Sequence, residues 1–268
     1  MAINIVVCVK DTPESLSVSV DPATKRVKHE GVKTSLNPFD EYAVEEALRI
    51  KEKLPGTSVM VVSVGPVQAE GALREALSRG VESAALVTGP EFAGSDTFAT
   101  SRVLAAAVRK ISETKPVGLV LFGKNSNDGN SGIVGAQVAA WLGWPSAISV
   151  RKVESVDDKS IAVVRLLEDG TDTVKLGLPA CVSTIKEINE PRLPSLKGKL
   201  AAKKAPIQRW SASDLGLKPE DAGSAGSLAR IQAETTPPAR PSGMAVEGKT
   251  AAEKAAKLVD ILVERKLV

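Results

Sequence analysis

Aromatic side chains are scarce in this sequence. They make up 3% of the chain, so Val, Ala, Leu and Ile must fill any core. Such packing suits a buried parallel sheet covered by helices. Histidine occurs once, at His29, and cysteine twice, at Cys8 and Cys181. Three scattered soft ligands offer no metal-binding cluster. Each cysteine lies in an apolar run, VVCV or PACVST, and reads as a small buried hydrophobe of a reducing compartment. An excess of one charge is also missing. The formal net charge is +3 with both signs interspersed, which gives no argument for a nucleic-acid partner. No apolar run reaches the roughly 20 residues that span a bilayer. The opening MAINIVVCVK has neither the basic region nor the cleavage site of a signal peptide, so a cytoplasmic protein is expected. No set of side chains reads as an acid, base and nucleophile together. His29, in a polar stretch, reads as a surface residue.

What is present is size and rhythm. The 268 residues, 43% of them hydrophobic, suffice for one large core with an appendage. Apolar runs at 3–9, 58–64, 84–88 and 117–122 read as buried strands. Amphipathic stretches after Asn37-Pro38-Phe39-Asp40, at 67–79, at 97–113 and at 137–142 read as helices between them. Asn37 or Asp40 is expected to cap the first helix. Strand and helix alternating at this spacing predict an α/β fold: a Rossmann-like, doubly wound, mainly parallel sheet. After residue 147 the pattern changes to shorter, partly antiparallel strands at 148–154, 161–167 and 172–177, with Asp169-Gly170 as a hairpin turn. Residues 180–186 return to a buried strand. The reading divides the chain into a unit over 1–205 and an extended arm over 206–268. The arm is rich in Ser, Ala, Gly and Pro, including Pro237, Pro238 and Pro241, and ends in an amphipathic helix with Ala255, Leu258, Ile261 and Leu262 on one stripe. That stripe can pack on this chain's own sheet or on another subunit.

Two segments carry functional information. The loop at 123–135, GKNSNDGNSGIVG, follows a strand and precedes a helix. Its four glycines let backbone amides approach a ligand, and a helix N-terminus favours an anion. The spacing fits neither GxGxxG nor GxxxxGK[ST]. In a doubly wound sheet the same crevice is lined by the end of strand one (Cys8, Val9, Lys10), by Asn37 to Asp40 and by Val64-Gly65-Pro66. The second segment, EINEPRLPSLKGKLAAKK at 187–204, holds Pro191, Pro194 and Gly198, one leucine expected to be exposed (Leu196), and a basic end. It reads as a docking loop over 189–204.

Five blocks together resemble the beta subunit of electron-transfer flavoprotein over essentially the whole chain. They are VVCVK, NPFDEYAVEEALRIKEK, VSVGP, the 123–145 block ending LGWP, and EINEPRLPSLKG with AAKK. The resemblance implies an adenine-nucleotide alpha-hydrolase-like fold and a heterodimer whose alpha subunit holds most of a redox FAD, with a structural AMP in this subunit. It implies an arm that wraps the alpha subunit. It further implies electrons from acyl-CoA dehydrogenases and related flavin dehydrogenases, passed to electron-transfer flavoprotein-quinone oxidoreductase, as in fatty acid beta-oxidation. Carried onto this sequence, the nucleotide contacts are Cys8, Asn37, Pro38, Phe39, Asp40, Val64 and the loop Asp128, Gly129, Asn130, Ser131, Gly132, Ile133 and Val134. Partner docking falls to Pro191, Arg192, Pro194 and Leu196, with Leu196 as the anchor. Where ordinary members carry Asn-Gln-Thr this chain has Gly132, Ile133 and Val134, so backbone amides, with Asn130 and Ser131, must hold phosphate. The DGNSG pattern leans toward members with a second FAD in place of AMP, oxidising NADH in electron bifurcation. The NPFDEYAVEEAL block leans back toward AMP, which this reading favours. A stand-alone nucleotide-binding protein of the same fold is the third reading.

Overall fold

The computed structural model describes residues 2–15, 19–25, 27, 31–236, 238 and 242–268. His29, Glu30, Pro237 and Pro241, which entered the sequence reading, lie outside them. The chain opens with β1 (Asn4–Cys8), whose last four residues are buried as the apolar run requires. A short antiparallel pair, β2 (Asp11–Pro13) and β3 (Thr34–Leu36), forms an excursion before α1 (Pro38–Lys53). Next come β4 (Ser58–Val64), a 3-10 turn at Val67–Ala69, α2 (Glu70–Ser78) and β5 (Ser83–Val87). After them follow α3 (Thr97–Thr114), β6 (Val117–Gly123) and α4 (Val134–Leu142). Three longer strands form two hairpins: β7 (Ser146–Val156), β8 (Ser160–Leu166) and β9 (Thr171–Gly177). The chain then returns through β10 (Ala180–Thr184), α5 (Leu196–Lys204) and β11 (Ile207–Trp210). A four-residue helix α6 (Gly223–Gly226) and the terminal α7 (Ala251–Glu264) complete it.

Nine strands make one sheet in the order β11-β5-β4-β1-β6-β10-β7-β8-β9. All neighbours from β11 to β7 run parallel; β7, β8 and β9 are antiparallel. Helices cover both faces. On one, α1 and α2 bury Ala43, Val44, Leu48, Leu73 and Ala76 against Ile5, Val7 and Leu121. On the other, α3 and α4 bury Val103, Ala107 and Val138 against Val6, Val62 and Val120. This is the doubly wound α/β fold that the alternation of runs implied. Its small side chains let helix and sheet approach closely, so the shortage of aromatics is answered by Val and Ala packing.

Four expectations change. The helix before Gly143 begins at Val134, three residues earlier than the glycine-rich composition allowed. Gly135 within that helix leaves room for Phe122: a Cβ there would lie 3.1 Å from its ring. Residues 196–204 are helical as well, where a loop was expected. Ser195 caps them by accepting from the Gly198 amide at 3.0 Å, and Leu, Lys and Ala are good helix formers. Gly198 lets α5 sit on α2: a Cβ there would be 2.2 Å from Ser78 O. Asn37 takes the N-cap position of α1 as expected, but neither it nor Asp40 makes a side-chain cap bond; both side chains are used elsewhere. Finally, the segment expected as an arm from 206 first adds edge strand β11 to the sheet and buries Trp210, Ala212 and Ala222 beside α3. The terminal helix α7 has no buried residue; Leu258, Val259 and Val263 are exposed, so its stripe does not pack on this sheet.

Candidate functional site

Strand order reverses between β1 and β6, because the chain leaves β1 for β4 and β5 and then returns to the other side. Ligands bind outside the carboxyl ends of strands at such a point. A cavity of about 1260 Å³ lies there, reached by Cys8 from β1, Val64 from β4, Thr88 after β5, Gly123 from β6 and Ser183 from β10.

One wall is the glycine-rich loop, held by side chains from α1. Asn37, only 1% exposed, donates from Nδ2 to Asn125 O at 2.9 Å and accepts the Asn127 amide on Oδ1 at 3.0 Å. This use of both amide atoms explains why Asn37, at the N-cap position, makes no side-chain bond to its helix. One turn on, Asp40 Oδ2 accepts the Lys10 amide at 2.8 Å. A Cβ on Gly123 would lie 2.4 Å from Asp40 Oδ1 and 2.6 Å from Phe39 C. Only glycine lets β6 end against the start of α1. Lys10 Nζ pairs with Asp128 at 2.7 Å, tying the end of β1 to the loop tip. Burial pushes the Asp40 carboxyl up to about 7, against the hydrogen bonds from Lys10, Asn37 and Gly123 and the Lys10 charge, which pull it down. Burial also acts on Asp128, but its hydrogen bond and ion pair with Lys10 prevail and hold it below the usual carboxylate range. Burial raises the thiols of Cys8, well above the ordinary value, and of Cys181, to about 12. Both stay neutral, free and buried, as the sequence led one to expect.

Asn130 and Gly132 adopt left-handed backbone, with φ of 48° and 68°, conformations that Asn and Gly tolerate. The first intrahelical bond of α4 is Gln137 N–H to Ile133 O, so the amides ahead of it lie outside the helix ladder. Thr97 and Thr100 at the start of α3 face the same cavity. Helix N-termini from α3 and α4 thus border one space, a setting that favours an anion. Leu104 and Phe122 supply apolar wall.

Of the nucleotide residues read from sequence, Cys8, Asn37, Asp40, Val64, Asp128, Gly129, Ser131, Gly132 and Val134 line the cavity. Pro38, Phe39, Asn130 and Ile133 do not. Pro38 and Phe39 form the first turn of α1, Asn130 bonds the Asn125 side chain, and Ile133 points outward, 46% exposed. The reading missed the wall from Thr88 to Thr100 and the arm residues Ile231 and Glu234. A signal for the first existed: Thr88-Gly89-Pro90 ends β5 as Val64-Gly65-Pro66 ends β4.

The residues expected to dock a partner lie away from the cavity. Leu196 is 75% exposed, but Leu193, at 90%, and Leu200, at 57%, are exposed beside it, so the single apolar tip becomes a group of three. Pro191 and Pro194 are half-buried. Arg192 is committed to this chain: Glu45 and Glu52 both accept from its guanidinium at 2.7 Å. It anchors the segment.

The model of the electron transfer flavoprotein domain matches residues 24–215. The chain belongs to the electron transfer flavoprotein family, as a beta subunit. It is 40% identical over 266 residues to the electron transfer flavoprotein subunit beta of Thermoanaerobacterium thermosaccharolyticum, covering 99% of this chain and all of that one. It is 39% identical over 264 residues to the caffeyl-CoA reductase-Etf complex subunit CarD of Acetobacterium woodii, covering 98% and 99%. Protein FixA of Azotobacter vinelandii is 39% identical over 214 residues, covering 79% and 76%. A beta subunit of this family acts in electron transfer with an alpha subunit as its partner. Among the described residues no helix is long and apolar enough to cross a membrane, and no group of His, Cys, Asp or Glu could hold a metal ion.

Proposed function

We propose that this beta subunit holds FAD in the cavity at the carboxyl ends of its strands, beside an alpha subunit that holds another, and that the pair takes electrons from NADH in electron bifurcation. The size of the cavity carries the reading. Its 1260 Å³ exceeds the roughly 300–1,000 Å³ of ordinary small-molecule pockets, and it extends from the glycine loop to the start of α3. The residues fit a dinucleotide. Loop amides from Gly129 to Gly132 and the start of α4 suit phosphate, Lys124 adds positive charge beside the Lys10–Asp128 pair, and Leu104 and Phe122 suit a flat ring. FAD bound there would accept and pass on electrons one or two at a time. This chain's own task is to fix the loop through Asn37 and Asp40, to neutralise phosphate and to exclude water.

A second reading keeps a structural AMP in this subunit and an FAD held mainly by the alpha subunit. The complex would then carry electrons from acyl-CoA dehydrogenases to electron-transfer flavoprotein-quinone oxidoreductase. One observation favours it: both lysines lining the cavity, Lys10 and Lys124, stand at the loop end, where one phosphate would sit. On either reading Leu196, with Leu193 and Leu200, docks the partner dehydrogenase, and α7 buries its stripe on the alpha subunit. The name of the CarD relative, which joins a CoA-thioester reductase to such a complex, supports a partner acting on CoA thioesters. A cytoplasmic location goes with both readings.

Denaturing the purified heterodimer and identifying the released nucleotides tests this. Two FAD per heterodimer, with reduction by NADH, uphold the first reading. One FAD and one AMP replace it with the second, and release of no adenine nucleotide sinks both.

A further inference from the structure

Past α6 the chain crosses the mouth of the cavity, fastened on both sides. On the α3 side, Asp96 Oδ2 accepts the amides of Leu228 at 2.9 Å and Ala229 at 2.8 Å, while the Asp96 amide donates to Ser227 Oγ at 2.8 Å. On the other side, Glu234 Oε2 accepts the Val27 amide at 2.8 Å, and the Glu234 amide donates to Lys25 O at 3.0 Å. Between the two fastenings Ile231 lines the cavity, as do Glu234, Val27 and Pro13 at the second one. Ile231 is 60% exposed and turned toward a space rather than a core.

We infer that residues 228–234 form a strap over the nucleotide, with Ile231 resting on the bound ligand, and that nucleotide enters and leaves only when the strap lifts from Lys25 and Val27. The inference rests on the reading that the cavity holds an adenine nucleotide. The two fastenings differ in kind. Asp96 also caps α3 by accepting the Ala99 amide at 2.9 Å, so that end belongs to the folded body. Among the described residues the other end is joined by one carboxylate and one peptide hydrogen bond between two surface segments. Opening should therefore start at Glu234 and swing about Asp96, because local opening follows the least-held end. The apolar Ile231 also suits a ligand ring better than water, so ligand and strap stabilise each other.

The test uses the intact heterodimer, with FAD as probe, chased from the complex by excess unlabelled nucleotide and followed by flavin fluorescence. Glu234→Ala should quicken one release phase roughly tenfold, the effect of losing one charge-assisted hydrogen bond, and leave any other phase unchanged. Ile231→Ser should quicken the same phase with the Glu234 fastening intact. Unchanged release in both variants overturns the strap. Hydrogen exchange at Val27, Leu228 and Ala229 separates failure of the strap from failure of the nucleotide reading, since it needs no ligand. Slow exchange at all three amides, becoming fast at Val27 alone in Glu234→Ala, upholds the strap even if no nucleotide is recovered. Fast exchange at all three in the unaltered complex overturns it.

Discussion

Arg192 lays its guanidinium along Glu45, with Nε on Oε2 at 2.7 Å and a terminal nitrogen on Oε1 at 3.0 Å, and adds its own backbone amide to Oε2 at 3.1 Å. Glu45 is 5% exposed on its side chain and accepts from Arg49 as well. The segment is thus pinned to α1 at Arg192, just before its exposed leucines, and Asn189 Nδ2 adds bonds to Tyr42 O and Glu46 Oε2, both at 3.0 Å.

Glu45→Ala should cost about 2–3 kcal/mol, because it removes the bidentate partner of Arg192 and the acceptor of its amide, leaving the guanidinium only the exposed Glu52. Urea unfolding of the chain measures this. Leu196→Ala, which removes an exposed side chain, should change stability by less than about 0.5 kcal/mol while weakening electron transfer with the partner dehydrogenase. Equal losses of stability in the two variants would contradict the division between anchor and contact.

Asp40 gives a pH signature. Its folded pKa, about 7, lies above the roughly 3.9 of an unfolded chain. Folded protein therefore binds this proton more tightly. The contribution is fully present below about pH 4, is lost as pH rises toward 7, and is flat above that. Asp40→Asn cannot ionise, so its stability relative to the unaltered chain should improve steadily between pH 4 and 7. Urea midpoints across that range decide it; a constant difference would mean that Asp40 titrates normally.

Gly123→Ala should be strongly destabilising, by roughly 2–4 kcal/mol, since the added carbon meets backbone of Phe39 and not only a movable side chain. Gly71→Ala meets nothing within 4 Å and lies in α2; it should stabilise by up to about 1 kcal/mol. Thermal unfolding of the pair gives the contrast.

Removing residues 249–268 should leave the stability of the isolated chain within about 0.5 kcal/mol of the original, because α7 buries nothing here. Pairing with the alpha subunit should be impaired. Size-exclusion chromatography of the co-expressed subunits reads the second effect, and normal pairing would remove the tail from the interface.

Much of this was legible because parallel strands buried on both faces must be continuous apolar runs: SVMVVSV is β4, residue for residue. Alternation places Asn37 and Asp40 at the crevice; Asp128 is singled out there by the family resemblance. What stayed hidden depended on distant partners. Nothing near Arg192 in sequence reveals Glu45, and Asn37 looks like a cap until Asn125 and Asn127 are beside it. Gly135 and Gly198 read as loop formers because composition cannot show that each is small to admit a neighbour, Phe122 or α2. The arm residues Ile231 and Glu234 lie in a stretch without periodicity, so only the folded chain brings them to the cavity.

Strand β11 pairs with β5, Ile207 beside Ala84, although everything from α3 to α5 is made between them. During synthesis, the outer side of β5 is a bare row of amides and carbonyls until the residues around Trp210 have emerged. An uncapped strand edge invites pairing with other chains. The interval of greatest aggregation risk for this subunit on the ribosome is therefore set by how long the final strand takes to arrive, and a synonymous slow-down between those two points should lower its soluble yield.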